Sequence, residues 1–218
     1  MNGSKNAMDG SRQTPRALLL VGPTGSGKTP LGDRIAERGL WRTACVHFDF
    51  GANLRFLVEQ DRPDELVGPD DLRFLRGVLR SGALLENEHF PLAARIFASF
   101  LARSGAEQRT LVVMNGLPRH VGQAEAVDAI VDVVAVVQLR CSTEVILERL
   151  RTDVGGDRAG RVDDDLESVR RKLVLFSERT APLLAHYRHA GAPIETIDVT
   201  ATATPDEMWE TLDRRRPV

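Results

Sequence analysis

Cysteine is nearly absent from this chain. Cys45 and Cys141 are the two among 218 residues, and neither belongs to a metal-ligand spacing. Both fall in apolar runs that read as strands, so they are expected to be small core residues. Reduced thiols of this kind suit the cytosol. Excess charge of either sign is missing too: 29 Lys and Arg against 31 Asp and Glu give a formal net charge of −2. That excludes a global attraction to nucleic acid or to an anionic membrane, so any basic site must be local. No apolar run approaches the length of a membrane span, and the first residues have no signal-peptide apolar region. Internal repeats and long low-complexity tracts are absent as well. What is present is 42% hydrophobic residues over 218 positions, enough for one packed domain. A cytoplasmic monomer is expected.

The chain is organised around Gly22-Pro23-Thr24-Gly25-Ser26-Gly27-Lys28-Thr29, which follows the apolar run 17–21 and opens a helical pattern. The spacing is glycine, four residues, then Gly-Lys-Thr. Glycines let successive backbone N–H groups turn inward around phosphate oxygens, and the following helix presents its positive end to the same anion. Lys28 reaches the β- and γ-phosphates in such a loop, and the Thr29 hydroxyl sits on Mg²⁺. Pro30 is tolerated in the first turn of a helix. Gly22, Thr24, Gly25, Ser26, Gly27, Lys28 and Thr29 are therefore the candidate site for ATP, with Thr29 as a candidate metal ligand.

In chain order, residues 1–15 are polar and rich in Ser, Asn and Gly, and are expected to form a disordered leader. Strands are predicted at 17–21, 43–48, 110–114, 133–139 and 194–199, each short and apolar. Helices are predicted at 27–38 (closed by Gly39), 122–131, 142–151, 163–189 and 205–214. Between the second and third strands nothing strand-like occurs. Residues 51–104 read as a helical insertion broken at Pro63, Gly68-Pro69 and Ser81-Gly82, with Asp70 as an N-cap. Residues 152–162 form a glycine-rich polar loop. Alternating strands and helices predict an α/β fold: a five-stranded parallel sheet with helices on both faces, the three-layer P-loop NTPase arrangement, in one domain over 16–218.

The third strand runs into Asn115-Gly116-Leu117-Pro118-Arg119, with Gln123-Ala124-Glu125 just beyond. This resembles the Asp-Gly-Phe-Pro-Arg…Gln-Ala-Glu segment of adenylate kinases and related nucleoside monophosphate kinases. Further segments are similar in the same order: Gly51…Leu54-Arg55, Ser81-Gly82-Ala83-Leu84-Leu85, Glu148-Arg149, Gly160-Arg161-Val162-Asp163-Asp164 and Thr180-Ala181-Pro182-Leu183-Leu184…Tyr187. The resemblance covers roughly 16–199. It implies a kinase that moves the γ-phosphoryl of Mg-ATP to a nucleoside monophosphate, with the insertion binding the acceptor and 152–162 as a short lid. By the same resemblance, Phe50, Gly51, Arg55, Leu85, Gly116, Arg119 and Gln123 would meet the acceptor. Arg149 would lie against the donor adenine. Lys28, Arg119, Arg161 and one of Arg170 or Arg171 (Arg171 is the candidate taken) would neutralise the transferring phosphate, with Lys172 the remaining alternative, and Asn115 would stand near the metal. Guanidiniums suit this work because they bind phosphate bidentately and stay charged.

The chain also departs from that family. Asn115 and Ala52 replace two aspartates near the metal, Phe50 replaces a threonine, and Lys172 stands where a catalytic arginine is usual. Asp49 replaces a small polar residue. Two other readings therefore stay open: a kinase for a small hydroxylated metabolite with Asp49 as general base, and a nucleotide-binding module whose metal chemistry has decayed.

Overall fold

The apolar run Arg16–Val21 becomes β1, buried at every position after its first residue, as a strand covered on both faces must be. The computed structural model describes residues 14–60, 66–83, 85–156 and 166–215. The expected leader at 1–15 and lid at 152–162 fall largely outside them, as does Arg161. After β1 come α1 (Lys28–Arg38), β2 (Cys45–Asp49), α2 (Phe50–Gln60), α3 (Pro69–Ser81) and α4 (Phe90–Ser104). β3 (Leu111–Asn115), α5 (Val121–Asp128), β4 (Asp132–Arg140) and α6 (Thr143–Thr152) follow. The chain then runs through α7 (Leu166–Leu175), α8 (Leu183–His189), β5 (Ile194–Asp198) and α9 (Pro205–Asp213).

The five strands are parallel in the order β2-β3-β1-β4-β5. β1 lies at the centre, between β3 and β4, where successive connections leave in opposite directions. A parallel sheet opens a crevice for ligands at the carboxyl ends of its strands at such a point. Alternation of side chains divides the core into two layers. Ala17, Leu19 and Val21 of β1, Phe48 of β2 and Met114 of β3 pack with the insertion helices, α5 and α8. Leu18 and Leu20, with Val113 of β3, pack against Leu31 and Ile35 of α1 and Met208 and Leu212 of α9.

Local chemistry explains the helix ends. α1 stops at Gly39, whose φ of 74° suits glycine and whose N–H returns to the Ile35 carbonyl. Ser142 caps α6 through the Val145 N–H, and Thr204 with Glu207 closes the start of α9. α3 starts differently from the expectation. Pro69 takes the first helical position, so Gly68 precedes the helix and Asp71, not Asp70, accepts the Gly68 N–H at 3.0 Å. The long helix predicted for 163–189 is broken, with a wide five-residue turn at Phe176–Thr180 between α7 and α8. Cys141 lies one residue beyond β4, half-buried, whereas Cys45 begins β2 and is buried. Among the described residues, no helix is long and apolar enough to cross a membrane.

Candidate active site

The turn from β1 into α1 wraps around an open volume. Gly25 and Gly27 adopt φ of 78° and 91°, in the left-handed region that favours glycine. At Gly22, a Cβ would meet Ser26 Oγ at 2.8 Å and the Leu139 carbonyl at 2.9 Å, so the loop can lie against β4 only without a side chain there. Ser26 is fully buried and donates to the Pro23 carbonyl at 2.9 Å, bracing the loop from within. No side chain caps α1 at Gly27, and its first turn is directed at the cavity. Lys28 folds back over its own loop, donating to the Gly22 and Pro23 carbonyls at 2.6 and 2.7 Å.

Register brings three polar groups together at the sheet's carboxyl edge. Asp49 ends β2 opposite Asn115, which ends β3, and both face α1. Thr29 Oγ1 donates to Asp49 Oδ2 at 2.6 Å, Asn115 Nδ2 donates to the same oxygen at 2.8 Å, and Asn115 Nδ2 is 3.1 Å from Thr29 Oγ1. Asp49 Oδ1 accepts the Ala52 N–H at 2.8 Å and so caps α2. Burial works against the Asp49 carboxylate. The bonds from Thr29 and Ala52, together with the His47 and Arg55 charges, outweigh it and hold the pKa below its ordinary value. A carboxylate with both oxygens engaged and its basicity lowered is poorly suited to accept a hydroxyl proton. That argues against Asp49 as a general base.

The cavity is lined by Gly22, Thr24, Gly25, Gly27, Lys28 and Thr29 on one side. Asp49, Gly51, Arg55, Asn115, Gly116, Pro118 and Arg119 form a second wall, and Lys172, Leu175, Phe176 and Thr180 a third. Neither Arg55 nor Arg119 has a hydrogen-bond partner for its guanidinium among the described residues. Burial pulls the Arg119 guanidinium below its ordinary pKa, against the opposing charge of Asp49. A desolvated cation on a cavity wall is a site for an anion.

Several expected site residues lie elsewhere. Arg149 is buried beneath the loop, where it donates to Gly25 O at 3.1 Å, Thr200 O at 2.9 Å and Ala203 O at 2.7 Å. It braces the phosphate loop against the turn after β5 instead of standing on the cavity wall. Gln123 is buried with its amide spent on Arg119 N–H and Leu85 O. Phe50 and Leu85 pack in the core with Leu54 and Leu57. Arg171 is exposed on α7 and bonds Ser168 at 3.1 Å, while the next residue, Lys172, lines the cavity. The correction has a simple cause: adjacent residues on a helix point about 100° apart, and the cavity lies on the face of Lys172, Leu175 and Phe176. Lys172, at the position where a catalytic arginine is usual in the family, is the member of the basic triplet on that wall.

Comparisons with known proteins agree with this fold. The profile of a family described as an AAA domain matches residues 18–171. A protein named adenylate kinase from Parvibaculum lavamentivorans is 30% identical over 188 residues, covering 83% of each chain. Adenylate kinases of Xanthomonas campestris pv. campestris and Xanthomonas oryzae pv. oryzae are 30% and 31% identical, over 89% of this chain and 96% of theirs.

Proposed function

Because the chain belongs to the adenylate kinase-like family of P-loop kinases, we propose that it transfers the γ-phosphoryl group of ATP to the phosphate of a nucleoside monophosphate such as AMP. The observation that carries this reading is the charge of the cavity. Lys28, Arg55, Arg119 and Lys172 converge on it, and Asp49 is its one carboxylate among the described residues. A site of that balance, at a helix N-terminus, is built for a triphosphate donor and an acceptor phosphate in line.

An ionised oxygen of the acceptor phosphate forms a bond to the γ-phosphorus while the bond to the β–γ bridging oxygen breaks. The electron pair leaves on ADP, and no proton has to be taken from the nucleophile. Arg55 and Arg119 hold the acceptor phosphate. The loop N–H groups and the first turn of α1 hold the donor, and Lys28 exchanges its two carbonyl partners for β- and γ-phosphate oxygens. Lys172, with Arg161, neutralises charge on the transferring group. Arg149 acts by holding the loop's shape.

A divalent metal fits the donor set. Thr29 Oγ1 and the Asp49 carboxylate are hard oxygen donors side by side. Among the described residues no three His, Cys, Asp or Glu side chains gather into a cage. That suits Mg²⁺, which keeps much of its coordination to phosphate and water. When bound it supplies neutralisation of the β- and γ-phosphates; Thr29 and Asp49 would hold it, with the Asn115 amide fixing the carboxylate. The same reading takes nucleotides as the partners and sets a monomer to work in the cytoplasm.

A panel of acceptors with ATP and Mg²⁺ tests the proposal. AMP or another monophosphate should be converted to the diphosphate, and Lys28→Met should abolish conversion while leaving the fold intact. Turnover of hydroxyl metabolites alone, or ATP binding with no turnover of any acceptor, would overturn it.

A further inference from the structure

Arg119 is aimed into the cavity by a backbone held from two sides. Its N–H donates to Gln123 Oε1 at 2.9 Å, and its carbonyl accepts from Thr180 Oγ1 at 2.7 Å. Gln123 Nε2 in turn donates to Leu85 O at 2.7 Å, and His120 Nε2 lies 3.2 Å from that same carbonyl. Leu85 belongs to the segment joining α3 to α4; Thr180 belongs to the wide turn after α7. The next residue of the first segment, Glu86, meets the preceding residue of the second, Arg179, as a fork. Nη1 lies 2.7 Å from Oε1 and Nη2 lies 2.8 Å from Oε2. The contacts close into a ring that runs through Leu85, Glu86, Arg179, Thr180, Arg119 and Gln123.

The wide turn makes the fork possible. Lys172, Leu175 and Phe176 face the cavity at helical spacing, and an uninterrupted α-helix would bring Arg179 to that face next. Instead the Ala181 N–H bonds the Phe176 carbonyl, five residues back, at 2.8 Å. One extra residue in the turn shifts the phase. Thr180 then takes the cavity side and reaches Arg119, while Arg179 turns outward to Glu86.

We propose that the Glu86–Arg179 fork is a positioning pair that sets the aim of the Arg119 guanidinium and ties the acceptor-side segment to the helix bearing Lys172. The proposal rests on the kinase reading above. Arg179 and Glu86 are partly exposed, at 34% and 49% of their side-chain surface, and an isolated pair so exposed contributes little. This pair is bidentate and closes a ring in which Leu85 and Gln123 are buried and Arg119 and Thr180 half-buried, so its loss frees two segments from each other at once.

Hydrogen exchange on the free protein and steady-state kinetics with AMP and ATP test it together. Glu86→Gln and Arg179→Met should each speed exchange of residues 117–123 by about 3–10-fold, leaving β1 and α1 unchanged. Each should raise the KM for AMP by a similar factor with the KM for ATP unmoved. The double variant should be no worse than the poorer single one. Glu148→Gln, which breaks a fork with Arg151 that lies within α6 and ties no second segment, should move neither readout. Unchanged exchange at 117–123 would overturn the proposal, as would additive effects of the two substitutions. A fall in Tm with both Michaelis constants at wild-type values would make the fork a structural pair only, and would overturn it too. Exchange is read without substrate, so faster exchange in a protein that does not phosphorylate AMP would keep the fork and remove the kinase reading instead.

Discussion

At the scale of single residues, two side chains decide what the cavity can do. Asp49 is a carboxylate held ionised by the Thr29 hydroxyl, the Ala52 N–H and the charges of His47 and Arg55. Its folded-state pKa lies below the unfolded value of about 3.9. The stability it contributes is therefore fully present above that value and is lost as pH falls through the folded one. Asp49→Asn should cost about 1–3 kcal/mol at pH 7, and the gap to wild type should close as pH drops below about 4. Chemical unfolding at a series of pH values checks this; a constant gap would mean that the carboxylate is not the source. Activity of the same variant should fall mildly and recover in part at higher Mg²⁺. The second residue is Lys172. Lys172→Met should lower kcat about 10²–10³-fold, as loss of one charge-stabilising group at a transferring phosphoryl does, whereas Arg171→Ala should leave kcat near wild type. The reverse ranking would return the role to Arg171.

At the scale of elements, α1 is the piece whose seating matters most, because its first turn carries Lys28 and Thr29. It lies across β2 at Gly32, where an added Cβ would come within 2.3 Å of His47 Nε2. The ring cannot yield easily, since its side chain is only 5% exposed and its Nδ1 is bonded to Asp33 at 2.8 Å. Gly32→Ala gains about 1 kcal/mol of helix propensity but overpacks the contact at about 1–3 kcal/mol. The expected net is a less stable protein with a higher KM for ATP. Adding His47→Ala should recover much of both losses, and simple additivity of the two substitutions in urea unfolding would contradict the contact. The same elements show what a sequence can and cannot display. The β1–loop–α1 unit was legible because its signals are local: an apolar run, glycines at fixed spacing and a closing Gly39. The break between α7 and α8 was not, because the contact it serves, Thr180 to Arg119, spans 61 residues. The bracing by Arg149 was not legible for a similar reason, since its carbonyl partners are 124, 51 and 54 residues distant.

At the scale of the whole molecule, the question is whether the insertion melts with the sheet or by itself. Its helices do not enclose a core of their own. Leu54 and Leu57 of α2, Leu72 and Leu75 of α3, and Ile96 and Phe97 of α4 share one cluster with Ala17, Phe48 and Met114 of the sheet. Phe48 joins the two parts: its ring lies 5.0 Å from Phe97 in an edge-on contact and 5.1 Å from Phe100. Both tryptophans lie on the opposite face of the sheet. Trp41 donates to Leu212 O at 3.0 Å and Trp209 to Gly39 O at 2.8 Å, between α1 and α9. Tryptophan fluorescence therefore reports the layer away from the insertion, and helical circular dichroism reports both. Phe97→Ala should destabilise by about 3–5 kcal/mol, which for a chain of this size is roughly 6–20 °C in Tm. If the shared cluster makes one cooperative unit, the two signals should fall together to the same lower midpoint. A fluorescence midpoint left at its wild-type value, with part of the helical signal melting earlier, would show instead that the insertion unfolds as a unit of its own.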